Sequence, residues 1–229
     1  MTFQQDQRLI KMLLDMQQCP HLPNFAPEGC GDVCADAIYY PEKGYVPRAF
    51  GGASDALDKV AMVIVSNGPS KPIEDEVFSA DFNANLQQIL AGMYLSSAAR
   101  SIHGWLLDFL DCVFKDLEGD LSRQLERVWI TNSVHCTFNN PVKIGDRRRC
   151  AKINLATHLS LFTNPVVVLA GGQAQRIRRE VESALNATGC IVECHSFSAP
   201  FPKGLTHAQN SWEHAANECK EHILKRQRS

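Results

Sequence analysis

Glu126-Arg-Val-Trp-Ile-Thr-Asn132-Ser-Val-His-Cys136 reads as a strand that empties into a loop. Val128 to Thr131 is a β-branched and aromatic run of the kind that packs on a pleated, buried surface, and the polar residues after it end the pattern. The loop presents an amide at Asn132 and a thiol at Cys136. A polar, Pro- and Gly-containing stretch then leads through Arg147-Arg148-Arg149 to Cys150, where a helical pattern opens through Leu155, Leu159 and Phe162.

Two longer apolar runs flank this segment in the chain. Val60-Ala-Met-Val-Ile-Val65 ends at the turn Ser66-Asn67-Gly68-Pro69-Ser70, and Val166-Val-Val-Leu-Ala170 ends at Gly171-Gly172. Continuous runs of this length belong to strands covered on both faces of a parallel sheet. Cys190 to Cys194 makes a shorter strand that stops at His195. Between them lie helical periodicities. Leu9, Ile10, Leu13, Leu14 and Met16 form one, stopped by Pro20; Leu86, Ile89, Leu90 and Met93 begin a long region reaching about Phe114, with a break near Ser96 to Gly104. Gln173 to Leu185 and Ala208 to Lys225 form two more. Strands alternating with helices predict an α/β fold with a mostly parallel sheet. In such sheets ligands bind beyond the carboxyl ends of the strands, and Asn67, Asn132, Gly171 and His195 each lie just past one.

The 229 residues, 45% of them hydrophobic, suffice for one α/β domain. Within it we expect an N-terminal helix and Cys loop over 1–50, a core over 51–205 and a closing helix over 206–229. A net charge of −2 excludes a generally basic nucleic-acid coat, so contact with phosphates must come from local clusters such as Arg147 to Arg149 or Arg176 with Arg178 and Arg179. No apolar run is long enough to span a bilayer, and the first residues lack a signal pattern, which predicts a soluble, cytoplasmic, monomeric protein.

Nine cysteines in a reducing compartment favour metal binding over disulfides wherever they cluster. The loop from Cys19 to Cys34, punctuated by Pro and Gly, holds a Cys30-x3-Cys34 pair, a backbone irregular enough to bring two thiolates to one ion or cluster. Cys112, Cys190, Cys194 and Cys219 fall on apolar helix or strand positions and are expected in the core.

Taken in order, Cys30-x3-Cys34, Ala49-Phe-Gly-Gly52, the Val60 to Val65 strand with its Asn67-Gly-Pro69 turn and Glu74-Asp75, Ile130-Thr-Asn132-x3-Cys136, Cys150, Val166-Val-Val-Leu-x-Gly171 and His195-Ser196 resemble the uracil-DNA glycosylase superfamily. The likeness is closest to its iron–sulfur branch, families 4 and 5, and covers roughly Cys30 to Pro202. It implies a three-layer sandwich around a central four-stranded sheet, DNA as partner, and a monofunctional enzyme that flips a nucleotide and hydrolyses its N-glycosidic bond. It also implies a structural [4Fe–4S] cluster on Cys30, Cys34, Cys136 and Cys150, with zinc as the other ion four thiolates can hold and Cys19 as a substitute ligand.

By position the resemblance assigns Asn132 to reading the base edge, with Gly68 and Pro69 in the base pocket and Phe82 stacking on the base, Phe78 being the alternative. His195 would donate to the base oxygen where charge develops, with His135 as the competitor. Asn67 stands where the branch has a glutamate and would position the water, with Asp75 or Glu74 as a nearby carboxylate. Arg147, Arg148, Arg149, Ser196 and Phe201 would meet DNA, the last through a loop that wedges into the vacated stack. Three departures border the pocket: Asn67-Gly68 and Ser70 in the first motif, Ser196-Phe197 in place of Pro-Ser after the histidine, and a longer segment from about Leu95 to Gln124. They turn the expected substrate from uracil toward a modified pyrimidine, as in foreign phage DNA. A catalytically inactive DNA-binding protein or an iron–sulfur sensor is the alternative function.

Overall fold

The computed structural model describes residues 6–47, 50–52, 57–69, 104–185, 189–197 and 205–228. Asp75, Phe82 and Phe201, with the alternatives Glu74 and Phe78, lie outside the described residues.

Helix α1 (Gln7–Gln17) starts at Asp6, whose carboxylate accepts the Arg8 backbone N–H, and buries the stripe Leu9, Met12, Leu13 and Met16. Strands β1 (Phe50–Gly52) and β2 (Met62–Ser66) follow. Helix α2 (Gly104–Glu118) and the short α3 (Leu121–Glu126), capped by Asp120, lead into β3 (Val128–Asn132). A helical stretch then runs as α4 (Ile144–Cys150), a π turn (Ala151–Leu155) and α5 (Ala156–Leu159). Strand β4 (Val166–Ala170), helices α6 (Gly172–Gln175) and α7 (Arg178–Ala184), strand β5 (Cys190–Cys194) and helix α8 (Leu205–Gln227) complete the order.

The strands lie in the order β1-β3-β2-β4-β5. The four strands read from the sequence, β3-β2-β4-β5, are all parallel, and β1 adds a short antiparallel edge on β3. A Phe-Gly-Gly stretch has too little apolar pattern to announce itself as a strand. Because successive side chains alternate across a sheet, β2 feeds two cores at once. Val63 and Val65 join Trp129, Val167 and Leu169 under α1, α5 and α7. Met62 and Ile64 join Val166, Val168 and Val192 under α2 and α8. Helices on both faces of a parallel sheet make the expected three layers. Each fully buried Val, Leu or Ile in them contributes about 1.5–3 kcal/mol.

Three local expectations need correction. The helix near Cys150 begins earlier, at Ile144, so the basic run is helical rather than loop; its apolar periodicity appears only after Cys150, which hid the first turns. The helix expected over 173–185 is two short pieces separated at Arg176 and Ile177. Cys112 is exposed, because Phe109, Leu110, Val113 and Phe114 take the inward positions of α2, and Cys190, opening β5, is only half-buried against the core. Among the described residues no helix is long and apolar enough to cross a membrane.

Candidate functional site

Parallel pairing brings four carboxyl ends to one rim, and the register sets which residues meet there. Ser66 pairs with Asn132, and the Ser66 hydroxyl donates to Asn132 Oδ1 at 2.5 Å. Asn132 is buried and so held by its neighbour, while Asn67, one residue past β2, is exposed. Gly171 carries φ +91°, which only glycine adopts cheaply. A Cβ there would lie 2.9 Å from Ser196 Cβ and 3.5 Å from Asn67 Oδ1, so the β4 and β5 exits close on the Asn67 amide. Gly68 is tight as well, with a hypothetical Cβ 3.0 Å from Val134 Cγ2. The structure thus brings Asn67, Gly68, Asn132, Gly171 and Ser196 to one crevice.

His195 is exposed, and its ring packs edge-on against His207 of α8 at 4.8 Å between centroids. Its backbone is fixed from both sides: its N–H donates to Ser211 Oγ at 3.1 Å and its carbonyl accepts Trp212 Nε1 at 2.9 Å. His135 is wholly buried instead. It stacks on His158 at 4.6 Å, touches Thr131 Oγ1 at 3.1 Å and Cys150 Sγ at 3.5 Å, and burial pushes its pKa down to about 4. A neutral imidazole with both nitrogens so placed has no access to the crevice. His195, by contrast, keeps its ring at the surface.

The arginine run departs most from expectation. Arg147, read as a DNA contact, is 5% exposed; its Nη1 donates to the Asn67 carbonyl at 2.5 Å and to Ser133 Oγ, and Ser133 donates to the same carbonyl. It braces the Asn67 turn from beneath. Arg149 pairs with Asp146 at 2.8 Å and Asp32 at 3.0 Å, and its Nη1 lies 3.7 Å from Cys34 Sγ. Arg148 alone of the three remains exposed, beside Glu180 at 3.6 Å. Helical periodicity explains the split: three consecutive residues cannot share a face. Phe197, in the loop expected to wedge into DNA, is buried against Trp212 and Phe109, leaving Ser196 at the rim.

A cavity lies between the Cys loop, the loop after β3 and the end of α4. Four cysteines line it, Cys19, Cys34, Cys136 and Cys150, together with His21 and Arg149. The structure therefore exchanges the expected Cys30 for Cys19. The Cys34 N–H donates to the His21 carbonyl at 2.8 Å, and this bond draws Cys34 onto the turn after α1, where Cys19 lies buried. Cys30, four residues earlier on a turn, does not line the cavity. The Cys loop is stapled to the loop after β3 by backbone bonds, Ile38 N–H to Thr137 O and Asn139 N–H to Asp36 O, each 2.9 Å. Burial raises the Cys34 and Cys136 pKa values, and Cys150 rises to about 11. Donors aim at the sulfurs, including Asn154 Nδ2 at 3.5 Å from Cys150 Sγ. No three of the four thiols come within 4.8 Å of one another.

Reasoning from residues missed the Arg147 brace and placed Cys19 only as a substitute for the thiols of the cavity, which it lines. A visible signal for the latter was Cys19-Pro20 closing α1, which sets that thiol at a fixed corner. No protein-family model matches the chain, and no curated protein matches it.

Proposed function

We propose that the chain is a monofunctional DNA glycosylase that flips out a pyrimidine nucleotide, by preference a modified one, and hydrolyses its N-glycosidic bond to leave an abasic site. The observation that carries this reading is the gathering of Asn67, Asn132, Gly171 and Ser196 at one rim of the parallel sheet. Bond cleavage puts positive charge on the sugar and negative charge on the leaving base, so the pocket must offer an edge reader, a donor to the base and a held water.

Asn132 reads the base edge through its amide. Its Oδ1 already accepts the Ser66 hydroxyl, which orients the group before a base arrives. Asn67 holds the water by hydrogen bonds; an amide takes up no proton at neutral pH, so Asn67 acts by position. Arg147 fixes the carbonyl of that same residue and keeps the turn from shifting. His195, anchored through its backbone, donates to the base oxygen. The small Gly171 and Gly68 leave room where a side chain would crowd Asn67 or Val134. Arg148, the exposed member of the basic run, meets phosphate from the solvent side while its pairing with the buried Glu180 carboxylate holds it in place.

The thiol-lined cavity holds a [4Fe–4S] cluster on Cys19, Cys34, Cys136 and Cys150. The donor set fits it: four sulfurs line one cavity, the ligand set that such a cluster takes. When bound, the cluster supplies no chemistry to the base. It staples the Cys loop to the loop after β3 and to α4.

The test is a panel of duplexes carrying uracil or modified pyrimidines, together with phage DNAs, incubated with purified protein. Freed bases are identified by mass spectrometry and abasic sites by alkaline scission. We expect release of a modified pyrimidine, cut about 100-fold in Asn67→Ala and in Asn132→Ala. Release of uracil alone sinks the substrate preference; release of nothing from any duplex sinks the enzyme.

A further inference from the structure

At the far end of the sheet from the crevice, Cys190, Glu218 and His222 present a thiol, a carboxylate and an imidazole whose ligand atoms all lie within 4.8 Å of one another. Among the described residues no other trio of such side chains is so close. We propose that these three residues bind one divalent cation of the zinc class, independently of the thiol-lined cavity and of glycosylase activity.

The geometry follows from two elements. Glu218 and His222 stand one helical turn apart on α8, so they share a face. Cys190 opens β5, the edge strand on which α8 packs, at the strand end opposite the crevice. All three are half-buried, reachable by an ion from solvent yet partly shielded. One thiolate, one imidazole and one carboxylate form a mixed set of three protein ligands that suits Zn²⁺ and leaves a fourth position for water.

Charge supports the same assignment. Cys190 supplies a thiolate and Glu218 a carboxylate, two negative ligands beside the neutral His222 imidazole. On binding, the sulfur–hydrogen bond is replaced by a sulfur–metal bond and the proton leaves to solvent, so thiolate and carboxylate together balance the double positive charge. Two guanidinium groups also act on Cys190, Arg226 and Arg178. Arg178 is occupied by Glu182 at 2.8 Å and Glu193 at 2.9 Å, which blunts its repulsion of a cation. Arg226 lies one turn beyond His222 on α8.

This trio differs in kind from the four clustered cysteines. There four thiols line a cavity; here three ligands of different chemistry lie close enough to share one ion. Bound metal would tie the last turns of α8 to the sheet edge.

The experiment titrates Zn²⁺ into the chelator-treated full chain against a competing chromophoric chelator, and records Co²⁺ spectra in parallel. We expect one zinc equivalent whose affinity falls at least about tenfold in Cys190→Ser and in His222→Gln. The thiolate-to-cobalt charge-transfer band should vanish in Cys190→Ser. His222→Gln keeps every cysteine, so its loss of binding separates this site from the cavity, and Cys34→Ser should leave the affinity unchanged. Zinc bound equally well by the His222→Gln variant, or not bound by the parent chain, overturns the proposal.

Discussion

Cys136 and Cys219 are both buried, and burial raises the pKa of both thiols, yet their surroundings differ in kind. Cys136 faces three further thiols across a cavity, with nitrogen donors from Arg149 and Asn154 aimed at neighbouring sulfurs and His135 Nδ1 3.5 Å from Cys150 Sγ. Cys219 sits between α8 and the sheet with Val192, Ala215, Ala216 and Ile223, where it and Cys194 serve as small apolar groups. Burial alone therefore says nothing of ligation. Convergence of several sulfurs, with polar hydrogens directed at them, marks the first region.

The largest effect should separate the two regions outright. With the proposed cluster in the cavity, Cys136→Ser is expected to abolish iron and sulfide in the purified protein and to cost more than about 3 kcal/mol in denaturant unfolding, because a lost metal is lost folding energy. Iron content unchanged in that variant would erase the distinction.

Next comes Arg147→Met, which strips the Asn67 carbonyl and Ser133 hydroxyl of a buried charged donor at a cost of about 2–3 kcal/mol. Base release should fall by about 100-fold through misplacement of Asn67 while the iron content stays. Equal activity would show that the brace is irrelevant to the crevice. Cys219→Ser in the second region should cost about 1–2 kcal/mol, the burden of a hydroxyl among apolar neighbours, with iron content untouched.

Smaller still is a pH dependence. Burial pushes the Cys194 thiol up to about 12, above the usual 9.0. The folded pKa is the higher one, so this contribution is complete below pH 9.0 and is lost as pH rises toward about 12. The slope is at most about 1.4 kcal/mol per pH unit. Urea unfolding between pH 8 and pH 11 should therefore be less steep in pH for Cys194→Ala than for the parent; identical slopes would count against the thiol. Smallest of all is Cys30→Ser, which should leave iron content and stability within about 0.5 kcal/mol of the parent, since that thiol does not line the cavity.

Much of the sheet was legible because Val60 to Val65 and Val166 to Ala170 have no polar interruption, a pattern that fits only a strand buried on both faces. The rim positions of Asn67, Asn132 and Gly171 follow from where those runs end. What escaped notice depends on three-dimensional turns that leave no periodic trace. Cys30 and Cys34 are close in sequence, but the His21 to Cys34 backbone bond brings Cys34 to Cys19 instead. Arg147 to Arg149 read as one basic patch, whereas on α4 they point in three directions, to the Asn67 turn, to Glu180 and to Asp146. The inward turn of Arg147 is a matter of tertiary partners that charge counting misses.

The Ser66 hydroxyl meets Asn132 across 66 positions of chain. A contact this remote forms only after a long loop has closed, and non-local pairings of this sort slow folding. The rim geometry is therefore completed late, after β2 and β3 have docked, and no early fragment of the chain can possess it. A probe on Asn132 during refolding would report the docking of β2 on β3, making the crevice a clock for assembly.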